Sequence, residues 1–323
     1  MMRAIAVVLA VLGWAAAAHT ACAAGYPERP IRMLVGFAPG GGVDVTARLL
    51  ATRLSEQLGQ SVVVENRPGS GGMIATAAVA HAQADGYTVL MASAADAAQH
   101  LLHSDLSYDL LKDFAPVSLV VTVPFALVTR PSLPVANVAD LVRLARAHPG
   151  ELRYASSGIA SAAHLSNELF NSMAKVQIMH IPYKGVSEGV TAVAAGQIDM
   201  VFASFPSVMA LADAGKVKLL AVSTPYRSAV MPALPTVAES GLPGYERYGW
   251  YGVLAPKGVP PAIVDRLNAA IVAVVGKPEM REAMVKQGLE PKTTTREAFG
   301  RFLADEVAQS AELARASGLA ASR

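Results

Sequence analysis

The chain has 323 residues, 53% of them hydrophobic and 16% charged, a formal net charge of +2 and a single cysteine. So even a balance of charge excludes a nucleic-acid or membrane-surface role driven by a field of one sign. The length favours two domains over one.

Residues 1–24, "MMRAIAVVLAVLGWAAAAHTACAA", place Arg3 before an apolar run to Ala18 and end in an A-x-A pattern at Ala21 to Ala23. This is the pattern of a secretory signal peptide, too short and too weakly flanked for a membrane anchor. A lipoprotein reading of Cys22 conflicts with His19, which stands where a branched aliphatic residue is wanted. Cleavage after Ala23 or Ala24 removes Arg3 and the cysteine, leaving a formal charge of +1 and no thiol. Disulfides, thiolate metal sites and cysteine nucleophiles are then excluded. The rest has no further run of 18 apolar residues and reads as a soluble exported protein in the periplasm.

"IRMLVG" (31–36) is a short buried strand, followed by a helix with apolar residues at Val43, Ala47, Leu50, Leu54 and Leu58 that stops at Gly59. "SVVVEN" is the next strand, Met73 to Gln83 the next helix and "YTVLMAS" the third strand. This alternation predicts a parallel sheet with right-handed crossovers. A second series follows the proline-punctuated stretch 114–134. Asn137 and Asp140 form a capping box for "VADLVRLARAH", and strands and helices alternate from "LRYASS" to "VKLLAVS". Extended segments near 122–131 and 219–227 are candidate hinges. "WYGVLAP" is expected to rejoin the first unit. Capping boxes at Thr236/Glu239 and Thr294/Glu297 and the prolines before "AIVDRLNAAIVAVVG" predict further helices, the last stopping near Gly318.

"LVGFAPGGGVDVTARLL" (34–50) couples a strand, a glycine turn and a helix start, where free N–H groups and the helix dipole favour an anion. It lacks the Lys-Ser/Thr pair of a P-loop and the G-x-G-x-x-G spacing of a dinucleotide fold, so a nucleotide is not expected. The plain alternative is a tight turn at Pro39 to Gly42, with Asp44 stabilising the first helical turn and pairing with Arg48. "YASSGIASAAHLSNELF" (154–170) repeats the layout. Two such helix starts facing each other across a cleft would hold a small carboxylate without an arginine clamp. Asp44 would then order a bridging water or receive an amine or amide.

The strings "YPERPIRMLVGFAPGGGVDVTARLL", "VVVENRPGSGG", "ADGYTVL", "YDLLKDFAPVSLV", "YASSGIASAAHLSNELF", "IPYKG", "GQIDMVFAS", "LPTVAESGLPGYE" and "GVLAPKGVP", in this order, resemble the Bug-type periplasmic solute receptors of tripartite tricarboxylate transporters. The resemblance implies an α/β, type II periplasmic-binding-protein fold with two crossovers: lobe 1 from 25–124 and 226–323, lobe 2 from 125–225. It implies a carboxylate held by the backbone N–H groups and ordered waters of a first-lobe loop formed by Phe37, Ala38, Pro39 (which has no N–H), Gly40, Gly41 and Gly42 with Asp44, and of a second-lobe loop with Ser157, Gly158, Ser161 and Ala162. Ser93, Asp96, His164, Tyr183 and Asp199 complete the candidate cleft wall. A closed, liganded monomer would deliver its cargo to membrane permease subunits, or engage a periplasmic sensor domain.

The chain departs from the family pattern at Met73, Ile74 and Ala75, where Asn-Ile-Gly is usual, and at Asp96, Gln99, His100 and His103, where a His, Asn-Pro and a Tyr are usual. Asp96 in the cleft would favour a ligand bearing an amine, amide or ring N–H; alternatively it caps a surface helix. His100 and His103 lack a third ligand at metal-site spacing, so no metal or other cofactor is expected. Ser157, Ser161 and His164 lack the elbow of a hydrolase, and no catalytic residue is expected. Either Tyr183 and Lys184 close the cleft rim, or Lys184 is simply solvated. Asp199 either faces the ligand or bonds the next turn.

Overall fold

The computed structural model describes residues 25–316 apart from positions 104 and 160; the expected signal peptide and the stop near Gly318 lie outside them. Strand β1 (Ile31–Val35) leads through the glycine loop into α1 (Gly42–Leu58). Val43, Ala47, Leu50 and Leu54 form the buried stripe of α1, the spacing of one helix face. Gly59 stops the helix at φ 71°, its N–H donating to Ser55 O at 3.0 Å. Then come β2 (Val62–Asn66), one 3-10 turn at Ser70–Gly72, α2 (Met73–Ala80), β3 (Thr88–Ser93), α3 (Ala94–Leu102) and β4 (Phe114–Val123).

After Pro124 the chain continues as β5 (Phe125–Thr129), α4 (Val138–Ala147), β6 (Arg153–Ser156), α5 (Ala162–Ala174), β7 (Met179–Pro182), α6 (Val186–Ala194), β8 (Met200–Ser204), α7 (Phe205–Asp213) and β9 (Lys218–Val222). It closes with β10 (Gly249–Pro256), α8 (Pro261–Gly276), α9 (Pro278–Lys286), β11 (Glu290–Pro291) and α10 (Arg296–Ala316).

Two sheets result, in the orders β11-β4-β10-β3-β1-β2 and β7-β6-β8-β5-β9. Each has a parallel core, β2-β1-β3 in one and β7-β6-β8 in the other, flanked by antiparallel strands. The sheets are therefore mixed rather than purely parallel. The strand beside each parallel core, β10 or β5, enters directly from the other lobe, so it runs against its neighbours. That exchange gives the two-lobed, doubly crossed arrangement of the expected fold.

The crossings lie side by side. Ser223 N–H donates to Phe125 O at 2.9 Å, Phe125 N–H to Ser223 Oγ at 3.1 Å, and Arg247 N–H to Ser223 O at 3.0 Å. The segment between β9 and β10 touches both sheets: Ala229 N–H donates to Glu290 of β11 at 3.0 Å. Val222 bridges Thr236, the Tyr245 ring stacks on Phe202 at 5.7 Å, and its hydroxyl donates to Ser166 O at 2.9 Å. Thr236 and the fully buried Tyr245 thus pack on the second lobe.

Two capping expectations also shift. Thr236 and Glu239 make their reciprocal bonds, each 2.9 Å, but the chain makes only a turn there, ending at Gly241 with φ 124°. In α10 the Ala298 N–H is capped by Thr295, because the Thr294 hydroxyl accepts from Leu119 N–H of β4 instead.

Candidate ligand-binding cleft

In both lobes the candidate loops leave the carboxyl ends of parallel strands, where open α/β sheets bind ligands. Ala98 of α3 and Leu165 of α5 share one buried cluster with Ala311 and Leu313 of α10, so the helices that start at these loops meet across the lobes.

The first loop is exposed from Ala38 to Gly42, with Phe37 half-buried behind it. Gly40 turns the chain at φ 83°, a conformation that costs glycine little. The first helical bond of α1 runs from Val45 N–H to Gly41 O at 2.9 Å, and no side chain caps the helix. The N–H groups of Gly42, Val43 and Asp44 are thus outside the helical ladder, where the dipole favours an anion.

Asp44 is only 2% exposed and its carboxylate is already occupied. It accepts from Gly40 N–H at 2.9 Å, from Arg48 Nε at 3.0 Å and from Asn66 Nδ2 at 2.8 Å. Asn66 also donates to Phe37 O at 3.0 Å. Burial alone would raise this carboxyl's pKa; the bonds from Arg48, Gly40 and Asn66 outweigh it and hold it below the usual range. Asp44 braces the loop and pairs with Arg48. Asn66 was not singled out by sequence reasoning, since only the strand pairing of Asn66 with Val35 brings it to the loop.

Asp96 is enclosed at the start of α3. It is 1% exposed, accepts from Ser93 N–H (2.8 Å), Ser93 Oγ (2.9 Å) and Thr76 Oγ1 (2.7 Å), and completes a capping box that opens α3. Burial raises its pKa despite these donors. The capping alternative therefore describes it, in the interior rather than at the surface, and Ser93 is consumed by the same box. Gly36 and Gly72 fix the neighbouring loops together: a Cβ on Gly36 would lie 2.6 Å from Gly72 Cα.

In the second lobe, Ser157 is exposed and Gly158 half-buried with φ 110°; position 160 lies outside the described residues. The fully buried Ser156 organises this loop, its Oγ donating to Gly158 O (3.1 Å) and accepting from Gly158 N–H (3.0 Å). Ser161 caps α5 by accepting from His164 N–H at 3.2 Å, and Ala162 opens the helix. His164 is 3% exposed and its ring lies tilted against His180 at 4.2 Å; His180 stacks on Tyr154 at 4.9 Å and lies 2.6 Å from Ser156 Oγ. Burial lowers the pKa of His164 to about 4, helped by His180 and opposed by Glu168. This cluster supports the loop from beneath.

Tyr183 is half-buried beside this loop, its N–H donating to Ser156 O at 2.9 Å, and Lys184 is exposed. Asp199 faces away from the loop. It precedes β8 beside the start of β6, pairs with Arg130 at 2.8 Å and accepts from Arg153 N–H at 2.8 Å. The ends of these parallel strands nearest the loop are Ser156 and Ser204, so the bonding alternative holds for Asp199. A groove of about 560 Å³ between α5 and α10, lined by Leu169, Arg247, Tyr248, Phe302 and Glu306, includes no residue of either loop.

One further residue borders the first loop. A Cβ on Gly42 would lie 2.6 Å from the hydroxyl oxygen of Tyr251, a half-buried residue of β10 paired with Ser93. Nothing local in "WYGVLAP" marks it; only the antiparallel return of β10 brings it there.

Comparison with known proteins agrees with the fold. The model of the tripartite tricarboxylate transporter family receptor matches residues 46–319. Protein BugT of Bordetella pertussis is 38% identical over 320 residues, 98% of each chain. Among solved structures, R. palustris Rpa4515 with adipate is 38% identical, with TM-score 0.79 over 91% of this chain and 99% of that one. MatC of Rhodopseudomonas palustris with bound malate is 29% identical, with TM-score 0.74 over 89% and 99%. The periplasmic binding protein BugD is 35% identical, with TM-score 0.75 over 91% and 99%. The chain has the two-lobed periplasmic-binding-protein fold and belongs to the tripartite tricarboxylate transporter receptor family, a family of solute-binding receptors.

Proposed function

We propose that this receptor captures a small organic carboxylate between its lobes in the periplasm, as a monomer, and presents it to the permease subunits of a tripartite tricarboxylate transporter. The observation that carries the reading is the exposed, uncapped start of α1, whose loop is braced by a buried aspartate that Arg48 neutralises. Such a site offers N–H donors to an anion without a charged side chain of its own. The adipate and malate bound by two structurally similar proteins support the same class of ligand.

The ligand-contacting set in this reading is the backbone of Phe37 to Gly42 and of Ser157 to Ala162, with Tyr183 at the rim. Asp44 and His164 support the two loops from behind. Binding that favours the closed form would shift the lobes toward it.

A thermal-shift screen of mono- and dicarboxylates, amino acids and carboxamides, followed by calorimetry, tests the proposal. A carboxylate bound at about micromolar affinity, and weakened by changes in both loops, supports it. Stabilisation by amines or sugars alone, or affinity indifferent to both loops, would sink it.

A further inference from the structure

Side chains alternate across β10. Trp250 packs edge-on against Phe299 at 5.9 Å on one face, and Tyr251 points to the other, toward α1. Its hydroxyl oxygen stands 2.6 Å, and its Cζ 3.5 Å, from where a Gly42 Cβ would be. The phenol therefore lies hydroxyl-first across the opening turn of α1, in room that only a glycine leaves. Among the described residues this hydroxyl makes no hydrogen bond, although the ring is half-buried. Burial raises its pKa to about 12, so at neutral pH it is a protonated donor. A hydroxyl on a half-buried ring with no protein acceptor is available to a ligand.

We infer that Tyr251 is a specificity-determining residue of the cleft, its hydroxyl donating to one oxygen of a ligand carboxylate while the N–H groups opening α1 take the other. The inference rests on the proposed function and adds to it a choice between chemical classes. A carboxylate accepts charge-assisted bonds from both sides. A carboxamide presents one acceptor and one N–H₂, so its bond with Tyr251 is a weaker neutral one, and the helix dipole does less for it. The charge of Asp44 beneath the loop does not oppose this, because Arg48 is bonded to it.

The test is calorimetry with adipate, malate, succinate, benzoate and nicotinate, each beside its primary carboxamide, on the wild type, Tyr251→Phe, Gly42→Ala and the double variant. The expected result is an acid bound more tightly than about 1 mM and its amide at least about tenfold more weakly. Tyr251→Phe should weaken the acid about tenfold and the amide no more than about twofold, collapsing the ratio, with an unchanged melting temperature for the free protein. Gly42→Ala should displace the hydroxyl and weaken the acid similarly, and the double variant should lose no more than either single change. Should Tyr251→Phe fold poorly, Gly42→Ala carries the test.

An acid that binds with its acid-to-amide ratio untouched by Tyr251→Phe overturns the role of Tyr251 and leaves the cleft standing. Failure of every acid overturns this inference; if amines or sugars bind instead, or nothing does, the carboxylate function falls with it.

Discussion

The Gly40 amide donates a 2.9 Å hydrogen bond to Asp44, four residues further along, and so ties an exposed turn to a buried carboxylate. Asn66 completes the tie by bonding both that carboxylate and Phe37 O. Loop shape is thus set by side chains that the ligand need not touch. Asp44→Ala should weaken carboxylate binding by at least about tenfold and cost about 1–3 kcal/mol of stability, since Gly40, Asn66 and Arg48 lose a common acceptor. Asn66→Ala should weaken binding less, and the double variant should fall short of the sum. Calorimetry and urea unfolding read both effects. Because the folded pKa of Asp44 lies below its ordinary 3.8, this stabilisation is fully present above that pH and is lost only as pH falls through the lower folded value.

Asp96 supports a different expectation. Its carboxyl joins Ser93 and Thr76 beneath the loops, so Asp96→Ala should destabilise the protein by about 2–4 kcal/mol through the lost cap and the stranded donors. The ranking of acids, amides and amines as ligands should stay the same. A variant that gains dicarboxylates or loses amines, at unchanged stability, would restore Asp96 to the cleft.

Sequence periodicity located nearly all the elements of both lobes, because buried stripes such as Val43, Ala47, Leu50 and Leu54 are set by local spacing. It did not reveal that β5 and β10 run against the strands beside them, since strand direction depends on where the chain crosses between lobes. The glycine loop was legible from its own composition. For Asp44, Asp96 and Asp199 the sequence offered the structural bond only beside a ligand role, because their further partners Asn66, Thr76 and Arg130 are distant in sequence. Thr236 and Glu239 show the same limit: the capping bonds form, but Gly241 and Pro243 follow too soon for a helix.

Arg247 and Glu306 form a buried pair where the returning crossing meets α10. Glu306 also accepts from Trp250 Nε1 at 2.9 Å, and Arg247 donates to Ser310 at 3.3 Å. Glu306→Ala strands a buried guanidinium and an indole N–H together, and should cost about 3–5 kcal/mol. Urea unfolding followed by tryptophan fluorescence checks it. A loss under about 1 kcal/mol would mean that Arg247 finds water or another acceptor.

His164 gives the protein its expected acid sensitivity near neutrality. Burial is the first cause that lowers its pKa, and the adjacent His180 adds to it, so the folded value is about 4 against an ordinary 6.5. The unfolded chain therefore binds the proton first, and stability falls as pH drops from 6.5 toward 4 and is fully present above that window. The start of α5 lies on the same side as this imidazole, so its dipole also opposes a positive charge. The melting temperature of the free protein should decline on the order of 5 °C across the window. In His164→Gln, a neutral side chain of similar length, the decline should shrink while stability at neutral pH drops from imperfect packing. Carboxylate affinity should decline across the same window, because the stack carries Ser156 and the second-lobe loop. A decline in His164→Gln as steep as in the wild type would assign the sensitivity to another group, with His180 next to be changed.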